Sequence, residues 1–161
     1  MKTRRFLLSA AVAAAALLPA ALLAQTAAPP PPNYPPQVGQ MVAAVKKQVK
    51  TISLPQFKEA FDKKALGTII DVRNENEFDD GFIPGAINVP RGLIEFRIWK
   101  ELGFPGAVDM NRQLTLYCAT GGRCALATKS LMDLGFTNVT SADMKFDDWA
   151  KAGYPVSKPK P

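Results

Sequence analysis

Residues 113–135, QLTLYCATGGRCALATKSLMDLG, decide the fold class of this chain. They begin with a short apolar run that ends in Cys118 and is typical of a buried strand. They continue through a glycine-rich loop into a helical pattern that Gly135 ends. A strand that passes directly into a helix is the repeating unit of a parallel α/β sheet. We therefore expect an α/β fold.

The same alternation of strand and helix extends on both sides of this stretch. Short β-branched or apolar runs predict four further strands, at residues 51–53, 67–72, 86–89 and 137–141. Helical periodicity predicts the elements between and after them, at residues 54–64, 91–102 and 145–153, with one acidic turn near 74–80. This pattern predicts a mostly parallel central sheet that is covered by helices on both faces.

The first 24 residues have the composition of an export signal. Basic side chains within residues 2–5 precede an apolar stretch at 6–23, and the small Ala24 suits cleavage before Gln25. The adjacent arginines leave both the general secretory route and the twin-arginine route open. An uncleaved signal would be long enough to act as an anchor. We expect cleavage and a periplasmic protein with no stable membrane association.

A proline-rich segment separates this signal from the folded part. Residues 27–36, AAPPPPNYPP, favour an extended spacer because proline lacks the amide donor. Residues 38–50 then carry apolar side chains at helical spacing, which predicts a short amphipathic helix packed on the domain edge. We assign residues 25–50 to spacer and helix, 51–156 to one domain with a single core, and 157–161 to a tail.

The composition excludes several functional classes. The formal net charge is +6, and loss of the signal leaves 17 basic against 14 acidic residues, or +3. So small a charge argues against a nucleic-acid partner. The chain has no histidine and two cysteines, so one chain cannot supply four zinc ligands or an iron–sulfur cluster. We expect no metal and no cofactor.

The loop after Cys118 has the features of an anion-binding site. Ligands of parallel sheets bind beyond the carboxyl ends of strands, so we expect the thiol at the open end of the sheet and not in the core. Gly121 and Gly122 allow the backbone N–H groups to point inward, and a helix starting near Arg123 adds its positive end. These features predict a thiol pKa about a unit or more below its reference of about 8.5. The alternative, a passive buried cysteine, needs neither the glycines nor the arginine.

Four motifs in this order resemble the single-domain rhodaneses, a family of sulfurtransferases. They are IIDVRNENEF (69–78), GFIPGAINVP (81–90), CATGGR (118–123) and FDDWAKAGYPV (146–156). The resemblance covers about residues 51–156 and implies the three-layer rhodanese-like fold. It also implies that Cys118 is the catalytic cysteine and that the rest of the loop binds the anionic sulfur donor: Ala119, Thr120, Gly121, Gly122 and Arg123. Related phosphatases and arsenate reductases place five residues, not four, between cysteine and arginine.

The resemblance implies transfer of a sulfane sulfur through a persulfide. Cys118 would take the sulfur from a small anion such as thiosulfate, and cyanide, a thiol or an unknown protein would accept it. Two alternatives stay open. The domain could carry or sense a persulfide without turnover, or it could exchange disulfides through both cysteines, although five residues separate them where two are usual in redox motifs.

Three positions depart from the family pattern. Phe82 stands where a histidine is common, and we interpret that position as structural. Residues 143–145 lack the usual paired glycines. Cys124 replaces a commoner serine, and the first helical turn should bring it towards Cys118, where it is either a redox partner or a passive small residue.

Two other arginines are weaker candidates for the site. Arg73 follows a predicted strand, and we expect a structural ion pair between it and Asp71. Arg91 opens a helix and could meet an anionic donor, but an exposed arginine there is as often solvated. We do not predict a catalytic role for either.

Overall fold

A computed structural model describes residues 34–159 and contains a five-stranded sheet. The spatial order is β1-β5-β4-β2-β3, and all neighbouring strands are parallel. The predicted α/β class with a parallel central sheet is therefore confirmed. The predicted export signal and most of the proline-rich spacer lie outside the described residues. The strands are β1 (Lys50–Ser53), β2 (Thr68–Asp71), β3 (Ile87–Asn88), β4 (Leu114–Tyr117) and β5 (Val139–Asp143).

Between residues 34 and 159, six helices accompany this sheet, and a 3-10 turn at Arg91–Leu93 leads into the fourth. Two separate apolar clusters show that the helices cover both faces. On one face Ile98 of α4 and Leu131 of α5 are buried, and on the other Phe57 of α2 and Trp149 of α6 are buried. The helices are α1 (Pro36–Lys46), α2 (Leu54–Asp62), α3 (Glu75–Asp79), α4 (Ile94–Glu101), α5 (Gly122–Asp133) and α6 (Phe146–Lys151).

The central strands are buried because helices lie against both of their faces. In β2, Ile69 packs in one cluster and Ile70 in the other. In β4, Leu116 and Tyr117 likewise pack in different clusters. Successive side chains of a strand point to opposite faces, so a strand between two helical layers is buried at nearly every position and most of its residues are apolar.

The first helix differs from its predicted range of 38–50. It begins at Pro36, which suits the first turn because that position needs no amide donor. It ends at Lys46, because Lys50 already pairs with Thr140 in the sheet. The helix packs against α5, at the domain edge as expected. Within residues 34–159, no helix combines the length and apolar character needed to cross a membrane.

The strand order brings three chain segments to one edge of the sheet. Cys118 follows β4, Asp143 ends β5 on one side, and Asp71 ends β2 on the other. Parallel strands place their carboxyl ends at the same edge, where α/β proteins bind ligands. This edge holds the candidate site.

Candidate active site

The loop between β4 and α5 turns sharply around Cys118. Gly121 has a φ of 82°, in the left-handed region that favours glycine. A Cβ atom at this position would lie 2.7 Å from Asp143 Oδ1. Helix α5 begins at the next residue, so its free N–H groups and its positive end face the loop.

Backbone N–H groups converge on the sulfur of Cys118. The N–H of Cys124 donates to Cys118 Sγ at 3.3 Å, and the N–H groups of Thr120 and Gly121 help to lower the pKa of the same thiol. The expected inward direction of the loop amides is therefore confirmed. Such an arrangement stabilises negative charge on the sulfur.

Cys124 lies directly beside Cys118. The two Sγ atoms are 3.4 Å apart, and both cysteines are free thiols. Cys124 Sγ also lies 3.3 Å from the carbonyl oxygen of Ala142, and the Ser141 hydroxyl donates to it at 3.4 Å. The predicted proximity of the two cysteines is confirmed, and the role of Cys124 as a redox partner stays a prediction.

The pKa values of the two thiols are shifted in opposite directions. A hydrogen bond from the Cys124 side chain, helped by the N–H groups of Cys124, Thr120 and Gly121, lowers the pKa of Cys118 to about 6 against the cost of burial. The hydrogen bond to Cys118, burial and the charge on Cys118 all raise the pKa of Cys124. Near neutral pH, Cys118 is therefore a thiolate and Cys124 keeps its proton.

The thiol of Cys118 has no exposed surface. Cys118 follows the carboxyl end of β4 as expected, but the expectation that its thiol lies outside the core is wrong, because the residue belongs to a buried cluster with apolar residues of β2, β4 and α5. Thr120 is exposed and Ala119 is half-buried. A cavity of about 260 Å³ opens beside Ala119, with Arg73, Glu77 and Phe146 in its wall. This cavity and the exposed Thr120 are the described solvent-facing features next to the residue that follows Cys118.

Arg123 is held by a carboxylate that the sequence analysis missed. Its guanidinium binds Glu77 through two contacts of 2.6 and 2.7 Å, with about a third of each side chain exposed. The sequence did not indicate this partner. The pair raises the pKa of Arg123 and lowers that of Glu77. Glu77 also accepts a hydrogen bond from the N–H of Asn74, so α3 fixes its position.

Arg73 has the structural role that was predicted. It forms a buried ion pair with Asp71, at 2.6 Å between Nη2 and Oδ2. Its guanidinium also donates to the Gly81 carbonyl oxygen and lies 3.9 Å from the ring centre of Phe146. These contacts fix the Arg73 side chain in the lining of the cavity next to the loop.

Two further positions have structural contacts. Arg91 binds Glu95 and the hydroxyl of Ser130, and Phe82 stacks on Phe78 with ring centres 4.0 Å apart. The structural interpretation of Phe82 is confirmed. These contacts connect helices and turns around the sheet.

Helix α1 reaches the same edge of the sheet. Lys46 binds Asp143 at 2.5 Å, and its Nζ would lie 3.4 Å from a Cβ atom at Gly121. The position of this lysine near the loop was not predicted from the sequence. It joins residues 97 positions apart, a contact that local sequence pattern does not indicate.

A family model, the rhodanese-like domain, matches residues 53–152. A putative sulfur carrier protein, YrkF of Bacillus subtilis, is 30% identical over 101 residues, which cover 63% of this chain and 51% of that protein. The thiosulfate sulfurtransferase GlpE of Shewanella oneidensis is 31% identical over 103 residues, which cover 64% of this chain and 94% of that protein. The chain thus spans about half the length of the Bacillus relative and nearly all of the Shewanella one.

Solved structures share the fold. A Rhodopseudomonas palustris protein of unknown function, a possible tyrosine phosphatase, is 27% identical with a TM-score of 0.64, covering 81% of this chain and 99% of that one. A rhodanese-related protein of Thermoplasma volcanium is 26% identical with a TM-score of 0.56, covering 68% and 99%. The thiosulfate sulfurtransferase of Pseudomonas aeruginosa, at 24% identity and a TM-score of 0.61 over 76% and 22%, shows the fold alone.

Proposed function

Because this chain belongs to the rhodanese-like domain family, we propose that it moves a sulfane sulfur from thiosulfate to cyanide or a thiol through a persulfide on Cys118. Its relatives include a thiosulfate sulfurtransferase and a putative sulfur carrier, which supports sulfur transfer in general. The observation that carries the proposal is the ring of donors around Cys118, which lowers the pKa of its thiol to about 6.

The first half-reaction needs a thiolate nucleophile and a leaving group that departs with its electron pair. Cys118 Sγ attacks the outer sulfur of thiosulfate, the sulfur–sulfur bond of the donor breaks, and sulfite leaves with the electron pair. The chain has no histidine, but a thiol with a pKa of about 6 is already ionised at neutral pH and needs no separate base. The guanidinium of Arg123 is paired with Glu77, and its N–H groups that Glu77 does not use are hydrogen-bond donors for the anionic substrate.

The second half-reaction returns the thiolate. Cyanide or a thiolate attacks the outer sulfur of the persulfide, and the pair of electrons returns to Cys118 Sγ. The N–H groups of Thr120 and Gly121, which stabilise the thiolate before the reaction, stabilise it again as it forms. The same loop therefore serves both half-reactions.

A persulfide carrier without rapid turnover is the second candidate function. The observation that favours it is the complete burial of Cys118, because a sulfur without exposed surface gives a free acceptor poor access. A carrier would accept sulfur from thiosulfate and release it only to a specific partner. The two candidates therefore agree on the first half-reaction and differ on the second.

We also propose that the chain is exported to the periplasm and that residues 1–24 are removed. The support is the sequence of that segment: basic residues, a long apolar stretch and a small residue before Gln25. Cell fractionation and N-terminal sequencing of the protein from the periplasm test this proposal. An intact N-terminus in the cytoplasmic fraction would contradict it.

The experiment for the catalytic proposal measures both half-reactions. Reduced protein is mixed with thiosulfate and excess cyanide together, and sulfite and thiocyanate are assayed over many equivalents. We expect sulfite release, an adduct of about 32 Da on Cys118 in samples quenched during the reaction, and repeated turnover. The matched control is Cys118→Ser, which should give none of these. Sulfite and adduct without thiocyanate turnover favour the carrier, and the absence of both contradicts sulfur transfer.

A further inference from the structure

The pair of thiols has the geometry of two reacting groups. The distance of 3.4 Å between Cys118 Sγ and Cys124 Sγ lies within the range of about 3–3.5 Å in which bound atoms are placed to react. Both sulfurs are reduced and buried, so solvent does not separate them. The sulfurtransferase chemistry proposed above uses Cys124 only as a hydrogen-bond donor to Cys118 and forms no bond to its sulfur.

We propose that Cys124 is a resolving thiol: when no external acceptor is present, it attacks Cys118 Sγ in the persulfide and releases the outer sulfur as hydrosulfide. The inference rests on the proposed persulfide and adds an activity to it. With a dithiol as reductant, the protein would convert thiosulfate into sulfite and sulfide.

The step balances without any further reactant. A bond forms between Cys124 Sγ and Cys118 Sγ, and the bond from Cys118 Sγ to the outer sulfur breaks. The outer sulfur takes that electron pair and the proton of Cys124, and it leaves as hydrosulfide. The two thiols lose two electrons and the sulfane sulfur gains them. An external dithiol then reduces the disulfide and becomes a disulfide itself.

The position of Cys124 favours attack on the inner sulfur. Cys124 Sγ lies against the Ala142 carbonyl oxygen and the Ser141 hydroxyl, on the side of Cys118 that β5 covers. The cavity next to the loop is lined by Ala119 and not by Cys124, Ser141 or Ala142, so a donor that enters through it meets Cys118 without displacing Cys124. An incoming sulfur opposite the bond that breaks is the arrangement that displacement at sulfur requires.

The charge distribution also changes in the direction that the step needs. In the resting pair, the charge on Cys118 and the hydrogen bond to it hold the proton on Cys124. In the persulfide the charge moves outward to the added sulfur, which then competes for that proton. The Ser141 hydroxyl already donates to Cys124 Sγ and stabilises negative charge there. Persulfide formation therefore removes the main obstacle to attack by Cys124.

A single-turnover experiment tests this inference on the full-length chain. Reduced protein is mixed anaerobically with excess thiosulfate and no thiol or cyanide, and sulfite, sulfide and intact mass are followed together. We expect about one equivalent each of sulfite and sulfide per chain and a product about 2 Da lighter than the dithiol protein. The matched variant is Cys124→Ser, whose hydroxyl can still donate to Cys118. It should release sulfite, keep the adduct of about 32 Da on Cys118 and release at most about a tenth of the sulfide.

Any other result shows whether the resolving role of Cys124 or the proposed sulfurtransferase function is wrong. If the natural chain releases sulfite but keeps the adduct, or if Cys124→Ser releases sulfide equally fast, the resolving role is wrong and the sulfurtransferase proposal stands. An adduct found on the Cys124 peptide shows attack on the outer sulfur and also overturns the inference. If no chain releases sulfite, the proposed function fails and the inference falls with it. Protein kept without thiosulfate should remain a dithiol, and a disulfide formed there at the same rate overturns the coupling to the persulfide.

Discussion

Replacement of Cys124 by alanine removes the side chain that contributes most to the low pKa of Cys118. The N–H groups of Thr120, Gly121 and residue 124 remain and continue to stabilise the thiolate. A hydrogen bond to a charged group contributes about 1.5–3 kcal/mol, and a thiol is a weak donor, so we take the low end. One pKa unit corresponds to about 1.4 kcal/mol. We therefore expect the pKa of Cys118 to rise from about 6 to about 7 in Cys124→Ala.

The sign of this change fixes the pH at which it is measured best. A lowered pKa means that the thiolate exists above about pH 6 and is lost as the pH falls through that value. At pH 6 the thiolate fraction should drop from about one half to about a tenth in the variant, whereas well above pH 8 both proteins are fully ionised. The assay is the ultraviolet absorbance of the thiolate against pH, with Cys118→Ser as the baseline.

A second variant separates the hydrogen bond from packing. Cys124→Ser keeps a side chain that can donate to Cys118 Sγ, so its midpoint should remain within about half a unit of the natural chain. A midpoint near pH 6 in Cys124→Ala would refute the reasoning, because the backbone N–H groups would then be sufficient by themselves. Equal upward changes in both variants would show that packing around the sulfur, and not the donated hydrogen bond, sets the pKa.

Three further substitutions test the surroundings of the loop. Glu77→Gln weakens an ion pair with Arg123 that is about one-third exposed, so we expect a loss of at most about 1 kcal/mol in the free energy of unfolding. Sulfite release should become about tenfold slower, because Arg123 loses its fixed position. Small effects on both stability and sulfite release would contradict a role of this pair in donor binding. Asp71→Asn leaves a buried arginine without its charge partner and should lower the free energy of unfolding by about 3–5 kcal/mol in denaturant titrations. Gly121→Ala combines a left-handed φ with the contact to Asp143 Oδ1 and should cost about 1–2 kcal/mol or more in the same measurement. Gly122→Ala is its control, because the added methyl group would meet only ordinary contacts and should change the free energy of unfolding by less than about 1 kcal/mol.

The local features of the site could be predicted from the sequence because they depend on neighbouring residues. The strand before Cys118, the turn at Gly121 and the helix after it are set by a few adjacent side chains, and the structure has each of them. The closeness of Cys124 follows in the same way, since the first turn of a helix returns towards the loop that precedes it. Burial of both faces of the strand follows from the alternation of strands and helices.

The contacts that were missed join segments far apart in the chain. Glu77 meets Arg123 across 46 positions, and Lys46 meets Asp143 across 97. Both contacts exist because β2 and β5 lie on either side of β4, an order that local pattern does not determine. The burial of Cys118 was missed for the same reason, since the residues that cover its sulfur come from several elements. Charge on the loop could be predicted, but its neutralisation by Glu77 required the tertiary structure.

The position of the Cys124 thiol depends on the sheet as well as on the loop. The groups that hold Cys124 Sγ, the Ser141 hydroxyl and the Ala142 carbonyl oxygen, belong to β5. Ser141 of β5 pairs with Leu116 of β4, which precedes Cys118 by two residues. This register places the Ser141 side chain next to Cys124 at the start of α5. A shift by one residue would turn the Ser141 side chain to the opposite face of the sheet. A cysteine at the equivalent position of another member of the fold is therefore expected to act as a resolving thiol only where the neighbouring strand supplies a similar hydroxyl donor, because the contact with Cys118 raises the pKa of the second thiol and Ser141 opposes that change.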